Sequence, residues 1–530
     1  MPRQTMLSID VGTSSVKVAL VADDGQIAAT AVRPIATTEL PGGGAEQDPA
    51  QIWHAVLDAG REVTRAGAEL GEVAGITCTS QYFSIVPVDP NGREVGNLIL
   101  WLDSRGHPYS QQILGRAEGV LEQFLATNGL FPLPTGNDSL SHALFLQHER
   151  PEIYRRAACF LEPMDFITAR LSGRCTASAC SAFSQILTDN RDPDHVCYDD
   201  NLLRMSGLDR DKLPPLIESG SIVGGLMPEA AEQLGIATGT PVFAGINDTQ
   251  AAAVGTGTFV HARGGINVGT TCQVLAFVDS LRADLTSNVF SMPSPHPGRY
   301  VVMAENGLGG RLLQHFLENL VFADDALARH STNDAFAGVE EALASSPAGA
   351  NKLLYLPWLT GSQTPTAIPS MRGGFLNMSL ATNRADMLRA VIEGITLSLR
   401  WQLPATEALC GESFAELGFA GGGAQSRQWA QTVANIMDRP VVQMAEPRHV
   451  TNRATAFLAF ERLGTVDRDQ HPTFCPIAAR FEPRAETRAT YDLLFDQFGE
   501  IFERTGPIFR ALNPETIDYE ALDSTTTSEE

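Results

Sequence analysis

The chain has 530 residues, 43% of them hydrophobic and 19% charged, enough for two domains of roughly 250 residues, each with its own core. Its net charge of -24, from 38 Lys and Arg against 62 Asp and Glu, opposes binding to nucleic-acid backbones and anionic membranes. No apolar run reaches the roughly 18 residues of a membrane span, and the N-terminal residues lack the long apolar stretch of a signal peptide, so a cytoplasmic protein is expected.

From Leu7 to Val21 the sequence alternates around a Gly12-Thr13-Ser14-Ser15 turn, and after Asp23-Asp24-Gly25 a third strand runs to Val32. An antiparallel meander is predicted. The turn exposes NH groups and hydroxyls at a hairpin tip, where consecutive amides can make an anion-binding nest, and Asp10 before it could hold a hydrated metal. An ordinary polar turn fits the same residues. Asp48 as N-cap and Pro49 at the first helical position open a helix whose apolar stripe is Ile52, Val56 and Leu57.

Two apolar strands then run into Gln81-Tyr82-Phe83 and into Trp101-Leu102-Asp103-Ser104-Arg105. Both stretches gather stacking and hydrogen-bonding groups that suit a polyhydroxylated ligand. Alternatively, Trp101 is core and Asp103 forms a surface pair with Arg105. His107, His142 and His148 lack metal-ligand spacing and read as structural, and the eight scattered cysteines read as reduced thiols. Helix-like stretches near 141–150, 162–171 and 385–401 alternate with strand-like ones at Pro241–Gly245 and Leu417–Ala420, which gives an α/β class.

Asp248 follows the strand Ala244-Gly245-Ile246-Asn247 at a helix start. It is either an N-cap or a base that takes the proton from an attacking hydroxyl in phosphoryl transfer. Further on the opening pattern recurs: Ile9, Val11, Gly12 and Thr13 match Ile266, Val268, Gly269 and Thr270. Two similar domains facing each other are expected, their turns able to clamp a polyphosphate. The Gly-Thr stretch at 255–258 divides an N-terminal domain, 1–257, from a C-terminal one, 258–515; the acidic, Ser/Thr-rich end, 516–530, is expected to be disordered. Leu417–Ala420 leads into Gly421-Gly422-Gly423 before a helix from Ser426 to Met437, an order that suits a nucleotide.

The segment Gly373-Gly374-Phe375-Leu376-Asn377-Met378, then Asp386 to Gly394, together with Leu356-Pro357-Trp358-Leu359-Thr360-Gly361, resembles the carbohydrate-kinase family named for a Phe-Gly-Gly-Tyr motif (FGGY), which includes xylulokinase, ribulokinase, gluconate kinase and glycerol kinase. The resemblance runs from about Leu7 to Leu463 and implies two ribonuclease-H-like, actin-like ATPase domains facing each other across a cleft. It implies Mg²⁺ near Asp10 and Asp248, phosphates near Gly12, Thr13, Ser14, Gly269 and Thr270, and further nucleotide contacts from Gly310, Gln314, Gly421, Gly422 and Asn435. Asp248 would be the catalytic base, and Gln81, Tyr82, Trp101 and Asp103 would face a sugar or polyol. ATP is the implied donor, nucleic acid and membranes are not implied partners, and the family accommodates homodimers. The chain departs from the pattern at Asn377, where the family has glycine; at His142, where it has lysine; at Ile246-Asn247-Asp248, where it has Gly-Gly-Asp; and at Gln81-Tyr82-Phe83, where xylulokinases have Gln-Met-His. The last change puts D-xylulose in doubt and favours another pentulose, a pentitol or a tetritol. Xylulokinase proper and a sugar-sensing relative are the alternatives; a chaperone-like or cytoskeletal ATPase would need peptide-binding or polymer-forming additions that the sequence does not offer.

Overall fold

The computed structural model describes residues 3–67, 69, 71–325, 335–336 and 338–513; the tail expected to be disordered lies outside them. The first half opens with the expected meander, β1 (Gln4–Val11), β2 (Ser15–Ala22) and β3 (Ile27–Pro34). Helix α1 (Pro49–Ala66) follows, with the Asp48 side chain accepting from the Ala50 amide. Then come β4 (Glu72–Ser80), α2 (Ser139–Glu149), α3 (Pro163–Ser172), β5 (Ile222–Gly225), β6 (Pro241–Phe243), β7 (Ile246–Asn247) and α4 (Asp248–Gly255). The sheet order is β5-β6-β4-β1-β2-β3, with β7 beside β4. β1 and β4 run parallel. Ile52, Val56 and Leu57 of α1, the amphipathic stripe read from sequence, pack with Leu7, Ile9 and Val11.

The second half repeats this arrangement. β8 (Arg263–Val268) and β9 (Thr271–Val278) form the second hairpin, followed by β10 (Ala283–Asp284), β11 (Val289–Pro293), β12 (Tyr300–Leu308) and α5 (Gly310–Phe316). The long α6 (Arg384–Cys410) precedes β13 (Glu416–Ala420), α7 (Arg427–Met437), β14 (Val441–Met444), α8 (Val450–Arg462), β15 (Ile477–Phe481) and α9 (Arg488–Leu512). The sheet order is β10-β11-β12-β9-β8-β13-β14-β15. Thus β3-β2-β1-β4-β6 in one half answers β12-β9-β8-β13-β14 in the other, with β8 and β13 parallel as β1 and β4 are. The hairpins differ by one residue: Val11 pairs with Val16, but Val268 pairs with Cys272.

The halves are joined by crossed helices. α4 packs with Leu275, Met292 and Met303 of the second sheet, while α8, late in the sequence, lies against β1 and β4 of the first. The two helices cross where a Cβ on Gly255 would sit 2.3 Å from Val450 Cγ1. A buried polar clamp fixes α8 to the first sheet: Thr455 Oγ1 is 2.8 Å from Ser8 Oγ and 3.0 Å from Thr77 Oγ1, and Asn452 Nδ2 donates to the Ser8 carbonyl at 3.1 Å.

The segment that carries the family resemblance serves packing. Gly374–Leu376 pairs with Leu354–Leu356, and Gly373 and Gly394 admit backbone so closely that Cβ atoms there would lie 2.0 Å from the Leu356 carbonyl oxygen and 2.2 Å from that of Tyr355. Asp386 completes a capping box with Asn383 and accepts from Ser346 and Asn351; Glu393 accepts from the Gly349 amide and the Tyr491 hydroxyl. Asn377 has φ of 66°, a conformation asparagine tolerates better than most non-glycine residues, and its Nδ2 donates to the Lys352 carbonyl. That accounts for its standing where the family has glycine. Gly394→Ala, which in a free helix would stabilise, is expected to lower unfolding free energy by about 2–3 kcal/mol through backbone overlap; urea denaturation monitored by circular dichroism measures it.

Candidate functional site

Parallel pairing sets the site. Val11 and Asn247 both align with Ser80, so β1, β4 and β7 end together and bring the Gly12–Ser15 turn, Gln81 and Asp248 to one edge. Around the turn, Thr13 Oγ1 donates to Gln81 Oε1 at 2.8 Å and accepts from Trp101 Nε1 at 3.1 Å. Gln47, a residue the sequence reading passed over, donates from Nε2 to the Thr13 carbonyl and accepts from Gln81 Nε2. Ser14 is exposed at the tip.

Asp10 and Lys17 are partners in the hairpin register, and their side chains pair at 2.9 Å. Thr451, from the first turn of α8, donates to the same Asp10 oxygen at 2.9 Å. Asp248 is not the cap of its helix. Asn247 is, accepting from the Gln250 amide in a capping box, which leaves the Asp248 carboxylate at the first helical position without that duty. Burial, and next the Asp10 charge, push its pKa up to about 7, with Lys17 opposing.

From the second half, Gln273 and Glu305 face this edge. They are partners across β9 and β12, and Gln273 Nε2 donates to Glu305 Oε2 at 2.7 Å. Thr249 Oγ1, next to Asp248, donates to Gln273 Oε1 at 3.3 Å, and the Tyr82 hydroxyl points to Met303 Sδ at 2.9 Å. Burial also raises Glu305 to about 7.

At the matching edge of the second half, β8 and β13 end side by side, with Asn267 opposite Ala420. The Gly269 carbonyl accepts from the Gly310 amide at 2.8 Å, and the Thr270 carbonyl from the Gly309 amide at 2.9 Å, so α5 starts against this turn. Gly421 has φ of 87°, and a Cβ there would lie 2.4 Å from the Val268 carbonyl oxygen; at Gly422 it would meet nothing nearer than 3.9 Å. Gly269, Thr270, Gly310, Gly421 and Gly422 therefore share one edge. Gln314 lies a turn further along α5, bonded to Arg311 and Glu318.

One expectation needs correction. Asp103 is fully buried, and its oxygens accept from the Ala45 and Arg105 amides and the Arg105 guanidinium, which also reaches Glu46. It is neither a surface pair nor a carboxylate open to a ligand. Asn435 is buried with its Oδ1 accepting from the Arg484 amide and Gln431 Nε2, so that oxygen anchors a loop. His142, where the family has lysine, bonds the Asp103 carbonyl through Nε2, and burial holds its pKa down at about 4. A cavity of about 310 Å³ beside Phe243, Ile246, Leu458 and Arg462 is lined by none of the expected site residues.

Two repeated sheets with crossed helices and glycine-rich turns at facing edges define an actin-like ATPase fold. Residues 5–255 match the N-terminal domain of the FGGY family of carbohydrate kinases, and residues 251–452 its C-terminal domain. The chain belongs to that family and is a phosphotransferase, catalysing ATP-dependent phosphorylation of a sugar. It is 27% identical to the xylulose kinase of Bacillus subtilis over 514 residues, 96% of this chain and 98% of that one, and 24% identical to the gluconokinase of Bacillus subtilis over 442 residues, 82% and 83% of the two. Ligand-bound xylulose kinase from Lactobacillus acidophilus superposes with a TM-score of 0.81 at 24% identity, covering 96% of this chain and 100% of that one. Among the described residues no helix is long and apolar enough to cross a membrane.

The geometry separates two neighbouring glycines. Gly421→Ala combines positive φ with overlap onto the Val268 carbonyl, so stability is expected to fall by about 1–3 kcal/mol; the unfolding midpoint in urea at constant m-value reads it.

Proposed function

We propose that this protein transfers the γ-phosphoryl group of ATP to a hydroxyl of a small uncharged sugar or polyol, such as a pentulose, a pentitol or a tetritol, with Asp248 as general base. The observation that carries the reading is the Asp248 carboxylate: it has no capping duty, a pKa near neutrality, and lies where the two halves meet. The acceptor hydroxyl oxygen attacks the γ-phosphorus as its proton passes to an Asp248 oxygen; the bond from the γ-phosphorus to the bridging oxygen breaks, and ADP leaves with that electron pair.

Gln81, Trp101 and Tyr82 would orient the acceptor. The first two bond Thr13 in the present structure, and the same donors and acceptors can exchange onto sugar hydroxyls. The Gly12, Thr13 and Ser14 turn and the Gly269-Thr270 turn would bind phosphates from the two halves, with Gly310, Gln314, Gly421 and Gly422 on the nucleotide side. Asp10 and Asp248 fit Mg²⁺. They are two carboxylates with no third ligand completing a cluster among the described residues, and this ion completes its octahedron with water and phosphate oxygens. Bound there, it would supply neutralisation of charge on the phosphate oxygens. Lys17 and Thr451 hold one Asp10 oxygen in place for that role.

Asp248→Asn keeps the shape and loses the basic oxygen, so kcat should fall by about 10²–10⁴ with the KM for ATP within a few-fold and the melting temperature unchanged, because Asn247 caps the helix. A coupled ADP-release assay checks this, and near-normal turnover would remove Asp248 from the mechanism. Gly422→Glu should fold normally, since its side chain points into open space, but raise the KM for ATP by about tenfold or more and leave that for the acceptor little changed. The same assay with each substrate varied decides it.

A further inference from the structure

The second half carries an acidic side chain towards Asp248 through a chain of hydrogen bonds from Thr249 to Gln273 to Glu305. Met303 and Glu305 on β12 and Gln273 and Leu275 on β9 share a face; Leu275 and Met303 pack with α4, and Gln273 bonds Thr249, the residue after Asp248. Glu305 is only partly buried. Its Oε2 accepts from Gln273 and its Oε1 from the Gly307 amide at 3.2 Å, and the Thr271 side chain also bonds it, which fixes the carboxylate with acceptor capacity to spare among its four lone-pair positions. Facing it are Asp248, Tyr82 and, beyond them, Asp10, whose charge is already matched by Lys17. No arginine contacts the side chains of Gln273, Glu305, Tyr82 or Thr249 among the described residues. A carboxylate brought here would meet the like charge of Glu305 and no forked donor.

We propose that Glu305 selects the acceptor: held by Gln273 opposite Asp248, it accepts a hydrogen bond from a sugar or polyol hydroxyl and excludes acceptors that carry a carboxylate. This rests on Asp248 marking the site of transfer. The curated relatives include both a xylulose kinase and a gluconokinase, so the neutral and the acidic acceptor are the two chemistries to be told apart.

The test is steady-state kinetics at pH 8 on wild type, Glu305→Gln and Glu305→Asp. Acceptors are ketopentoses and pentitols against five- and six-carbon aldonates. Wild type should favour the best neutral acceptor over any aldonate by about 100-fold or more in kcat/KM. Glu305→Gln should raise the KM for the neutral acceptor about tenfold, leave the KM for ATP within about twofold, and narrow the preference about tenfold. Glu305→Asp keeps the charge and withdraws the contact, so it should raise the neutral KM yet retain the discrimination; it decides the matter if the Gln variant fails to fold. A wild type that prefers an aldonate, or variants with unchanged acceptor KM and unchanged preference, overturns the proposal. Failure of the underlying reading shows separately, as turnover retained in Asp248→Asn.

Discussion

The crossing of α4 and α8 is the contact on which the site depends. Each helix leaves the carboxyl edge of one sheet and lies on the other, and the two approach closely because Gly255 carries no side chain to hold Val450 away. Ala251, Ala252, Ala253, Ala454 and Ala456 keep the rest of the contact thin. Thr451 of α8 stands beside this contact, while Asp248 and Thr249 open α4 at its other end. Thr451 reaches Asp10 in the first half and Thr249 reaches Gln273 in the second, so each helix donates a hydroxyl across the boundary between halves.

The two repeats are alike in topology and unlike in charge. Asp10 in β1 corresponds to Asn267 in β8, and Asp248 at the start of α4 corresponds to Val450 at the start of α8. One edge therefore concentrates acids, while the other presents neutral amides and glycines. An acidic edge suits proton removal, and a neutral edge rich in amides suits a polyanion. Glu305, which has no counterpart in the opening pattern, carries negative charge from the second half towards the acids of the first.

Local features were legible in the sequence. The meander, the Asp48 cap, the recurrence at Ile266–Thr270 and the strand-glycine-helix run at Gly421 all follow from short-range pattern, and the structure has each of them. Lys17 was within reach too, since a four-residue turn pairing Val11 with Val16 puts it opposite Asp10. Gln47, Gln273, Glu305 and Thr451 were not, because what brings them to the site is pairing and packing between segments far apart in the chain. Asp103 failed for the complementary reason. A buried polar side chain with a nearby partner looks the same in sequence whether it serves a ligand or a loop, and only the hydrogen bonds of Ala45 and Arg105 tell the two apart.

The crossing also has a mechanical meaning. Because each helix belongs to one half by sequence and to the other by packing, a rotation of the halves cannot slide the helices past each other without driving Gly255 into Val450. The movement left to them is a tilt about that point, which makes the crossing a fulcrum. In a tilt about that point, atoms beside it would shift least and the outer loops furthest. Asp248 lies at the other end of α4 from Gly255, seven residues away, and would move with that helix.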